Sequence, residues 1–226
     1  MNGKVVVITG ATSGIGQVAA ETLARRGARI VLIARDRERA QAAQQRLHEC
    51  APQCEHTVHY ADLSRLSEMK RVAQDIAAAE PRIDVLINNA GAMFGERRVT
   101  EDGLELTFAL NHAAYFVLTH GLLPRLTSSS QARIVNTASR AHRTAPLDFE
   151  DLQAERTYAQ RGLLEWARYG GPGFKVYGRS KLCNILFTSE LARRLEGTGV
   201  TANSLHPGFV ATRFGDESGG LLSIGT

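Results

Sequence analysis

Tyr177 and Lys181 combine residue types and a spacing that suit proton transfer. They stand four residues apart in the stretch VYGRSKL, and on a helix residues with this spacing share one face. A free tyrosine has a pKa of about 10, whereas a lysine ammonium close by favours the phenolate and lowers that pKa. Such a tyrosine could exchange a proton with a substrate oxygen. Because a single Tyr-x-x-x-Lys is common on helices, the pair needs support from the rest of the chain.

A glycine-rich stretch near the start of the chain is the second chemical signal. Residues 4–16 read KVVVITGATSGIG, with glycines at 10, 14 and 16. The apolar, β-branched run before them suits a strand buried on both faces, and a helical apolar pattern follows. A strand, a glycine turn and a helix let the backbone approach a phosphate and offer it a helix N-terminus. The glycine spacing alone is also compatible with a plain turn that links strand to helix.

The composition is that of a soluble globular protein. The 226 residues carry a formal net charge of +4 and a sequence pI of about 9.2. Lysines and arginines are scattered among acids, which favours a solvated surface or a pocket for an anionic cofactor over a nucleic-acid interface. No apolar run approaches the roughly 20 residues of a membrane span. The first strand starts at residue 4, which leaves no room for a signal peptide. We therefore expect a cytoplasmic protein that binds no nucleic acid.

One cluster of cysteines and histidines resembles a metal site in composition. The stretch HECAPQCEHTVH at residues 48–59 holds two of the three cysteines, Cys50 and Cys54. Their spacing is not that of a CxxC motif, no second knuckle follows, and His59 falls on a predicted strand. The odd number of cysteines also argues against a disulfide framework. We expect neither a metal nor a disulfide here.

Predicted strands alternate with predicted helices along the chain. The strands are expected at residues 5–8, 28–34, 57–61, 83–88, 132–138 and 200–205. The helices are expected at residues 14–26, 36–48, 64–79 (capped by Ser64), 104–126 and 176–195. Right-handed βαβ units of this kind build a doubly wound α/β fold with helices on both faces of a parallel sheet. The sequence thus predicts a single Rossmann-type domain over residues 1–226, with at least six strands in the order 3-2-1-4-5-6 and a ligand beyond their carboxyl ends.

Two segments depart from the regular alternation. The helix at 104–126 is apolar on too many sides for a surface helix, so it should be buried against the sheet or a partner subunit. Residues 140–174 form a long irregular excursion, and long loops are often functional. Its aromatic residues Trp166, Tyr169 and Phe174 could line a substrate mouth or could only pack the loop onto the domain.

Motifs recur at the ends of the predicted strands. They are Thr9-Gly10-x-x-x-Gly14-Ile15-Gly16, Asn88-Asn89-Ala90-Gly91, Asn111, Ser139, Tyr177-x-x-x-Lys181 and His206-Pro207-Gly208. In this order they resemble the short-chain dehydrogenase/reductase family in its non-extended branch, whose glycine spacing is GxxxGxG. The looser stretches SRAH, DLQAER and YGRSKLCNILF look most like the retinol dehydrogenase and oxidoreductase-like subgroup.

The resemblance implies an oxidoreductase that moves hydride between a nicotinamide cofactor and a carbonyl or an alcohol, with a small, apolar substrate. Tyr177 would be the general acid/base, and Lys181 would also bind the nicotinamide ribose. Ser139 would hydrogen-bond the substrate oxygen, and Asn111 would anchor a water in a proton relay from Lys181. Together with the glycine turn, these residues favour a functional over a merely structural reading of the Tyr-x-x-x-Lys pair.

The resemblance also implies a cofactor site. Its expected residues are Gly10, Thr12, Ser13, Gly14, Ile15, Gly16, Arg35, Asp62, Leu63, Asn89, Ala90, Gly91, Tyr177, Lys181, Pro207, Gly208, Val210 and Thr212. At the end of the second strand an acid would bind the adenosine ribose, but this chain has Ala34 and then Arg35, a residue type that suits a phosphate. We therefore expect NADP rather than NAD. Asp36, shifted by one or two positions, could still serve as the ribose-binding acid.

Three further expectations follow from the resemblance. The family's usual dimer or tetramer would form through the helices that carry Asn111 and Tyr177. The chain would lack the helix and strand that usually follow the His-Pro-Gly turn, which would leave the last strand as an exposed edge. The rival functions are a dinucleotide-binding redox sensor without turnover and, disfavoured by the glycine spacing, an epimerase of the extended branch.

Overall fold

A six-stranded parallel sheet forms the centre of the protein. The computed structural model describes residues 1–159 and 171–208. The strands are β1 (Val5–Thr9), β2 (Arg29–Ala34), β3 (Thr57–Tyr60), β4 (Val85–Asn88), β5 (Arg133–Thr137) and β6 (Thr201–Leu205). Their order is β3-β2-β1-β4-β5-β6, and every pairing is parallel. The predicted doubly wound fold and its strand order are confirmed.

The direction of strand addition reverses at β1. Val7 pairs with Val31 of β2 on one side and with Leu86 of β4 on the other. β2 and β3 extend the sheet in one direction, and β4 to β6 extend it in the other. In such sheets the ligand crevice lies beyond the carboxyl ends of the strands at this reversal. The glycine turn after β1 and the Asn-Asn-Ala-Gly stretch after β4 both lie there.

Helices cover the two faces of the sheet. The regular ones are α1 (Gly14–Arg25), α2 (Arg37–Cys50), α3 (Leu66–Ala79), α4 (Leu106–Phe108), α5 (Ala114–Thr127), α6 (Glu155–Ala159) and α7 (Pro172–Arg194). Successive residues of β1 face opposite cores: Val6 and Ile8 pack with α1 and α2, whereas Val7 packs with α3 and α5. This alternation follows from the two-residue period of a strand. It explains why β1 is apolar at every position from Val5 to Ile8.

The predicted single helix at 104–126 is divided in the structure. α4 is followed by a π-helical turn, Ala109–Ala113, and α5 then continues to Thr127. π-helical turns are rare and often mark functional sites, and this one contains Asn111. Hydrophobic periodicity does not distinguish a π turn from an α turn, so the sequence pattern predicted one continuous helix. Most apolar side chains of α5 are buried, as predicted, but Phe116 is 45% exposed.

Two smaller predictions are corrected. Ser64 does not cap α3: its N–H and hydroxyl both donate to the Asp62 carboxylate, and Arg65 holds the cap position. The excursion after Ser139 is more ordered than expected over residues 140–159. It contains the 3-10 turns Arg140–Thr144 and Phe149–Asp151 and then α6.

α7 is the helix that carries Tyr177 and Lys181. It starts at Pro172, a residue type suited to the first helical position, and it runs for 23 residues to Arg194. Its first turns lie close to other segments, since a Cβ on Gly173 would fall 2.2 Å from the Phe94 carbonyl oxygen and one on Gly178 would fall 2.4 Å from that of Ala141. Among the described residues, no helix combines the length and the apolar character needed to cross a bilayer.

Candidate active site

Thr9 and Asn89 join the ends of β1 and β4. The Thr9 hydroxyl oxygen accepts hydrogen bonds from the N–H groups of Asn89 and Ala90, both at 2.9 Å. The Asn89 side-chain amide donates to the carbonyl oxygens of Thr9 and Gly10, both at 3.1 Å. These four bonds fix the glycine turn against the Asn-Asn-Ala-Gly stretch. The predicted cofactor residues Gly10, Asn89, Ala90 and Gly91 therefore lie together at the strand reversal.

The glycine turn needs glycine for reasons of space as well as conformation. Gly10 and Gly14 have φ values of +68° and +56°, a region that favours glycine. A Cβ on Gly10 would lie 2.8 Å from the Ala90 Cα. A Cβ on Gly16 would lie 2.2 Å from the Gly10 carbonyl oxygen. Any side chain at position 16 would collide with the Gly10 carbonyl group of the turn. A glycine at this position therefore allows α1 to start close to the end of β1.

The N-terminus of α1 has neither a side-chain cap from Ser13, which occupies the cap position, nor an acidic residue in its first turn. Thr12, Gly14 and Ile15 flank this terminus and are half-buried. The uncapped N–H groups and the positive end of the helix dipole suit an anionic group. The predicted phosphate-binding residues are thus arranged as a phosphate site requires.

Ser139 and Tyr177 meet although they are 38 positions apart in the sequence. Ser139 follows β5 and begins the 3-10 turn Arg140–Thr144, and its side chain forms a hydrogen bond with Tyr177. Tyr177 is buried, with 8% of its surface exposed. Burial raises the pKa of Tyr177, and the hydrogen bond with Ser139 opposes that increase only in part. The lowering of the Tyr177 pKa by a lysine ammonium together with an oxidised nicotinamide ring stays a prediction for the cofactor-bound protein.

Lys181 is fully enclosed one turn further along α7. Its Nζ donates to the Thr137 carbonyl oxygen at 2.9 Å and lies 5.6 Å from the centre of the Tyr177 ring. Burial lowers the pKa of Lys181 to about 7. The side chain can therefore exist both as an amine and as an ammonium near neutral pH, which suits a proton relay.

Asn111 lies in the π turn and is fully buried. Its Oδ1 accepts from the Ala92 N–H, and its Nδ2 donates to the Ala92 carbonyl oxygen, both at 2.9 Å. The Nδ2 also donates to the Ser180 Oγ at 3.1 Å, and that hydroxyl donates to the Tyr177 carbonyl oxygen at 2.7 Å. Asn111 thus ties the loop after β4 to the helix that carries Tyr177. Both Nδ2 hydrogens are engaged by protein groups, and the predicted role of Asn111 in anchoring a water stays a prediction.

Gly91 lies beside both the Asn111 and the Lys181 side chains. A Cβ on Gly91 would lie 3.0 Å from Asn111 Oδ1 and 3.4 Å from Lys181 Nζ. The two side chains therefore converge on the same small residue. The structure brings together all four predicted catalytic residues, Asn111, Ser139, Tyr177 and Lys181.

Tyr115 was missed by the sequence reasoning. It is fully buried, and its ring centre lies 5.5 Å from Lys181 Nζ. Its hydroxyl has no hydrogen-bond partner among the described residues. Burial, with a smaller contribution from Tyr177, raises the pKa of Tyr115 well above its ordinary value. Its position four residues after Asn111 was a signal, but the hydrophobic pattern predicted only a core residue.

Two candidate residues for binding the adenosine end of a cofactor, Arg35 and Asp36, follow β2 directly. Arg35 is exposed and has no ion pair in the described part of the chain. The Asp36 carboxylate caps α2 by accepting from the Arg39 N–H at 2.9 Å. Asp36 is therefore engaged by its own helix, and Arg35 remains open to an anion.

The remaining predicted residues lie around the same edge of the sheet. Asp62 and Leu63 follow β3; the Asp62 carboxylate accepts from Ser64, and Leu63 is buried. Pro207 and Gly208 follow β6, with Gly208 at a φ of +85°. Val210 and Thr212 lie outside the described residues, as do Trp166 and Tyr169 of the predicted substrate mouth. Phe174 is described, and its ring lies 6.5 Å from that of Tyr177.

The cysteine and histidine stretch has a structural explanation. His56 is buried, and its Nδ1 accepts from the Ile30 N–H at 3.0 Å. Burial lowers the pKa of His56, so the ring stays neutral and can accept. Within residues 1–159 and 171–208, no three His, Cys, Asp or Glu residues are grouped closely enough to hold a metal ion.

Known proteins share this sequence over nearly the whole chain. Residues 4–148 match the family model described as short chain dehydrogenase. Human retinol dehydrogenase 14 is 43% identical over 228 residues, which covers 95% of this chain and 64% of that protein. Human retinol dehydrogenase 13 is 40% identical over 218 residues, with coverages of 96% and 62%. The chain thus spans less than two thirds of the length of these relatives.

Solved structures agree with the sequence match. An uncharacterized protein from Mycobacterium paratuberculosis is 38% identical, with a TM-score of 0.74 over 92% of this chain and 69% of that one. A short-chain dehydrogenase from Sphingobium yanoikuyae in complex with NADPH is 28% identical, with a TM-score of 0.75 over 96% and 75%. The family model, the identities and the shared fold establish that this chain belongs to the short-chain dehydrogenase family and is similar to its retinol dehydrogenases.

Proposed function

We propose that this protein is an NADP-dependent oxidoreductase that transfers hydride between nicotinamide and a carbonyl or a primary or secondary alcohol. The observation that carries the proposal is the convergence of Ser139, Tyr177 and Lys181 at the crevice beside the glycine turn. Two separated parts of the chain supply these groups, the segment after β5 and α7. A purely structural role would not require a buried lysine that has no ion pair among the described residues beside a buried tyrosine.

The residues present fit a dinucleotide. Gly10 and Gly16 leave no Cβ in the turn, and the α1 N-terminus offers free N–H groups to a pyrophosphate. When bound, the nicotinamide carries the hydride, and its oxidised ring adds a positive charge that favours the tyrosinate. Arg35, which has no ion pair among the residues that the structure describes, favours the 2′-phosphorylated form, since Asp36 is engaged in capping α2. The neighbour from Sphingobium yanoikuyae, solved with NADPH, supports the same preference.

Each catalytic side chain has a defined task in the proposed reduction. Ser139 donates a hydrogen bond to the substrate carbonyl oxygen and holds the carbonyl carbon for hydride attack. The Tyr177 hydroxyl gives its proton to that oxygen as the C–O double bond becomes an alcohol. Lys181 returns a proton towards Tyr177, and its pKa of about 7 allows this near neutral pH. In the oxidation every proton moves in the opposite direction, with Tyr177 as the base.

The substrate is proposed to be a small, apolar carbonyl compound or alcohol. Tyr177 packs with the buried side chains of Met93 and Ala141 and with the half-buried ring of Phe174. An apolar surface beside the proton donor favours an apolar substrate, because its burial there removes hydrocarbon from water. The similarity to retinol dehydrogenases agrees with this chemistry.

The proposal is tested by nicotinamide absorbance with a panel of ketones, aldehydes and alcohols that includes retinoids and steroids. Wild-type protein is expected to turn over at least one apolar member with NADP(H). Tyr177→Phe should lower kcat by roughly a hundredfold or more, the scale of a lost general acid/base. Tyr158→Phe is the matched control, since it also removes a part-buried tyrosine hydroxyl, one that donates to the Phe94 carbonyl oxygen.

The same assay separates the rival functions. A dinucleotide-binding redox sensor would bind NADP(H), as measured by calorimetry, and would turn over no member of the panel. Near-wild-type kcat in Tyr177→Phe would exclude the proposed mechanism.

A further inference from the structure

Asn184 contacts two consecutive residues of the π turn from the neighbouring helix α7. Its Nδ2 donates to the main-chain carbonyl oxygen of Asn111 at 2.8 Å. Its Oδ1 lies 3.0 Å from His112 Nδ1. Because an amide oxygen can only accept, the Nδ1 of His112 carries the proton of this bond. A single fully buried side chain therefore holds both the Asn111 carbonyl and the His112 ring.

The π turn depends on such outside support. A π turn departs from the regular i to i−4 hydrogen-bond register of a helix and is rare without a specific reason. The Asn111 side chain is already bonded to Ala92 and Ser180. Its main-chain carbonyl receives the Asn184 donor as an additional bond from outside the helix. The orientation of this peptide is thus fixed from α7, three positions after Lys181.

The main chain of Asn184 is linked by hydrogen bonds to side chains of β4 and β5. The Thr188 hydroxyl donates to the Asn184 carbonyl oxygen at 2.6 Å and accepts from Asn136 Nδ2 at 2.9 Å. Asn136 Oδ1 accepts from Asn88 Nδ2 at 2.8 Å. Asn88 and Asn136 are adjacent in β4 and β5. A buried chain of hydrogen bonds therefore runs from β4 and β5 through α7 to Asn111, and such chains fix geometry when their groups are paired.

We propose that Asn184 is a positioning residue for proton transfer, which fixes the π turn at Asn111 and thereby the placement of the Asn111 side chain beside Lys181. This inference rests on the proposed oxidoreductase function. Asn111 Oδ1 and Lys181 Nζ converge on Gly91, where a Cβ would lie 3.0 and 3.4 Å from them. A displacement of the Asn111 peptide would therefore change how the Asn111 side chain is placed relative to Gly91 and Lys181.

The decisive variant is Asn184→Asp, which keeps the shape and the acceptor for His112 but replaces the donor to Asn111 with an oxygen. At about pH 8 a carboxyl group is ordinarily ionised, and it would then repel the Asn111 carbonyl. We expect kcat to fall roughly tenfold to a hundredfold, the scale of a misplaced reacting group. The Kd for NADP(H) and the substrate KM should stay within about twofold of the wild-type values, because the side chain touches neither.

His112→Phe is the matched control. It removes the partner of Asn184 Oδ1 and leaves the bond from Nδ2 to the Asn111 carbonyl, so kcat should remain near the wild-type value. A kcat loss of equal size in His112→Phe and Asn184→Asp would overturn the proposal, since it would show only that the helix contact had been disturbed.

A second pair serves if Asn184→Asp does not yield folded protein. Asn184→Leu removes both side-chain bonds, whereas Ser129→Ala removes a buried hydroxyl that donates to the Asp84 carboxylate beside the amino end of β4, away from Asn111. Both should lower Tm, but only Asn184→Leu should lower kcat. Equal kcat in the two variants would overturn the positioning role. Wild-type protein and Tyr177→Phe are run alongside: if these two do not differ, the proposed function has failed rather than the role of Asn184.

Discussion

Lys181 Nζ lies 5.6 Å from the centre of the Tyr177 ring and donates its hydrogen bond to the Thr137 carbonyl oxygen instead. The two groups share one face of α7, as their spacing predicted, and among the described residues Lys181 has no ion pair with an acid. Burial acts on both in opposite directions, raising the pKa of Tyr177 and lowering that of Lys181 to about 7. Both shifts favour the neutral forms, which keeps a proton on the tyrosine.

The depressed pKa of Lys181 predicts a specific dependence of stability on pH. Unfolding restores the ordinary pKa of about 10.5, so the unfolded state binds more protons between about pH 7 and pH 10.5. The free energy of unfolding should therefore rise with pH in this window. Lys181→Met removes this titration. Chemical denaturation at a series of pH values should show wild type gaining stability relative to Lys181→Met as pH rises. A constant difference would contradict the low pKa.

Arg35 is predicted to select NADP over NAD. Arg35→Ala should weaken NADP(H) binding by about tenfold or more, the loss of one charge-assisted phosphate contact, and leave NAD(H) binding within about twofold. Calorimetric titration of both cofactors measures this. Arg26→Ala removes the same charge from an exposed site at the far end of α1 and should change neither affinity. An unchanged NADP preference in Arg35→Ala would refute the role of Arg35.

The ion pair between Asp151 and Arg179 is predicted to hold residues 148–159 against α7. The two side chains are 4% and 7% exposed, with Arg179 Nη1 3.7 Å from Asp151 Oδ2. Arg179 also donates to the Asp151 carbonyl oxygen and to the Thr157 hydroxyl. Burial acts to raise the pKa of Asp151, but bonds from Thr157 and Arg156 lower it overall. The carboxylate is therefore charged and paired at neutral pH.

Asp151→Asn should lower the free energy of unfolding by about 3 kcal/mol or more, because it leaves a buried guanidinium without a counter-ion. Hydrogen exchange of residues 148–159 should accelerate at the same time. Glu150→Gln removes a carboxylate that is 86% exposed and should change stability by less than about 0.5 kcal/mol. Equal stabilities of the two variants would show that the buried pair does not anchor the segment.

Phe116 is predicted to lie in an interface between copies of this chain, through the helices that carry Asn111 and Tyr177. Phe116 is 45% exposed on α5, and its ring packs against that of Phe187 on α7. Leu186, which precedes Phe187 in the sequence, is 50% exposed. An apolar patch of this kind is typical of an oligomer interface. Phe116→Ser should shift a dimer or tetramer towards monomer in analytical ultracentrifugation. Val18→Ser alters a 63% exposed side chain on α1 and should leave the mass unchanged.

The sequence by itself determined the fold and the position of the crevice. Apolar strands such as β1, separated by helices, admit few parallel arrangements, and the glycines at 10, 14 and 16 marked the turn at the strand reversal. Motif spacing also pointed to Ser139, Tyr177 and Lys181, because each follows a strand end or repeats with the helical period. These features are local in the chain, so short-range patterns reveal them.

Only the tertiary structure decided the electrostatics and the supporting contacts. The π turn at Asn111, the bond from Asn184 to its carbonyl and the enclosure of Lys181 all involve residues from separate segments. Hydrophobic periodicity records that a side chain is buried, but it does not record which polar groups meet it. The pKa of Tyr177 is one example: burial raises it, and desolvation depends on how completely the surrounding chain excludes water, which a sequence pattern does not record.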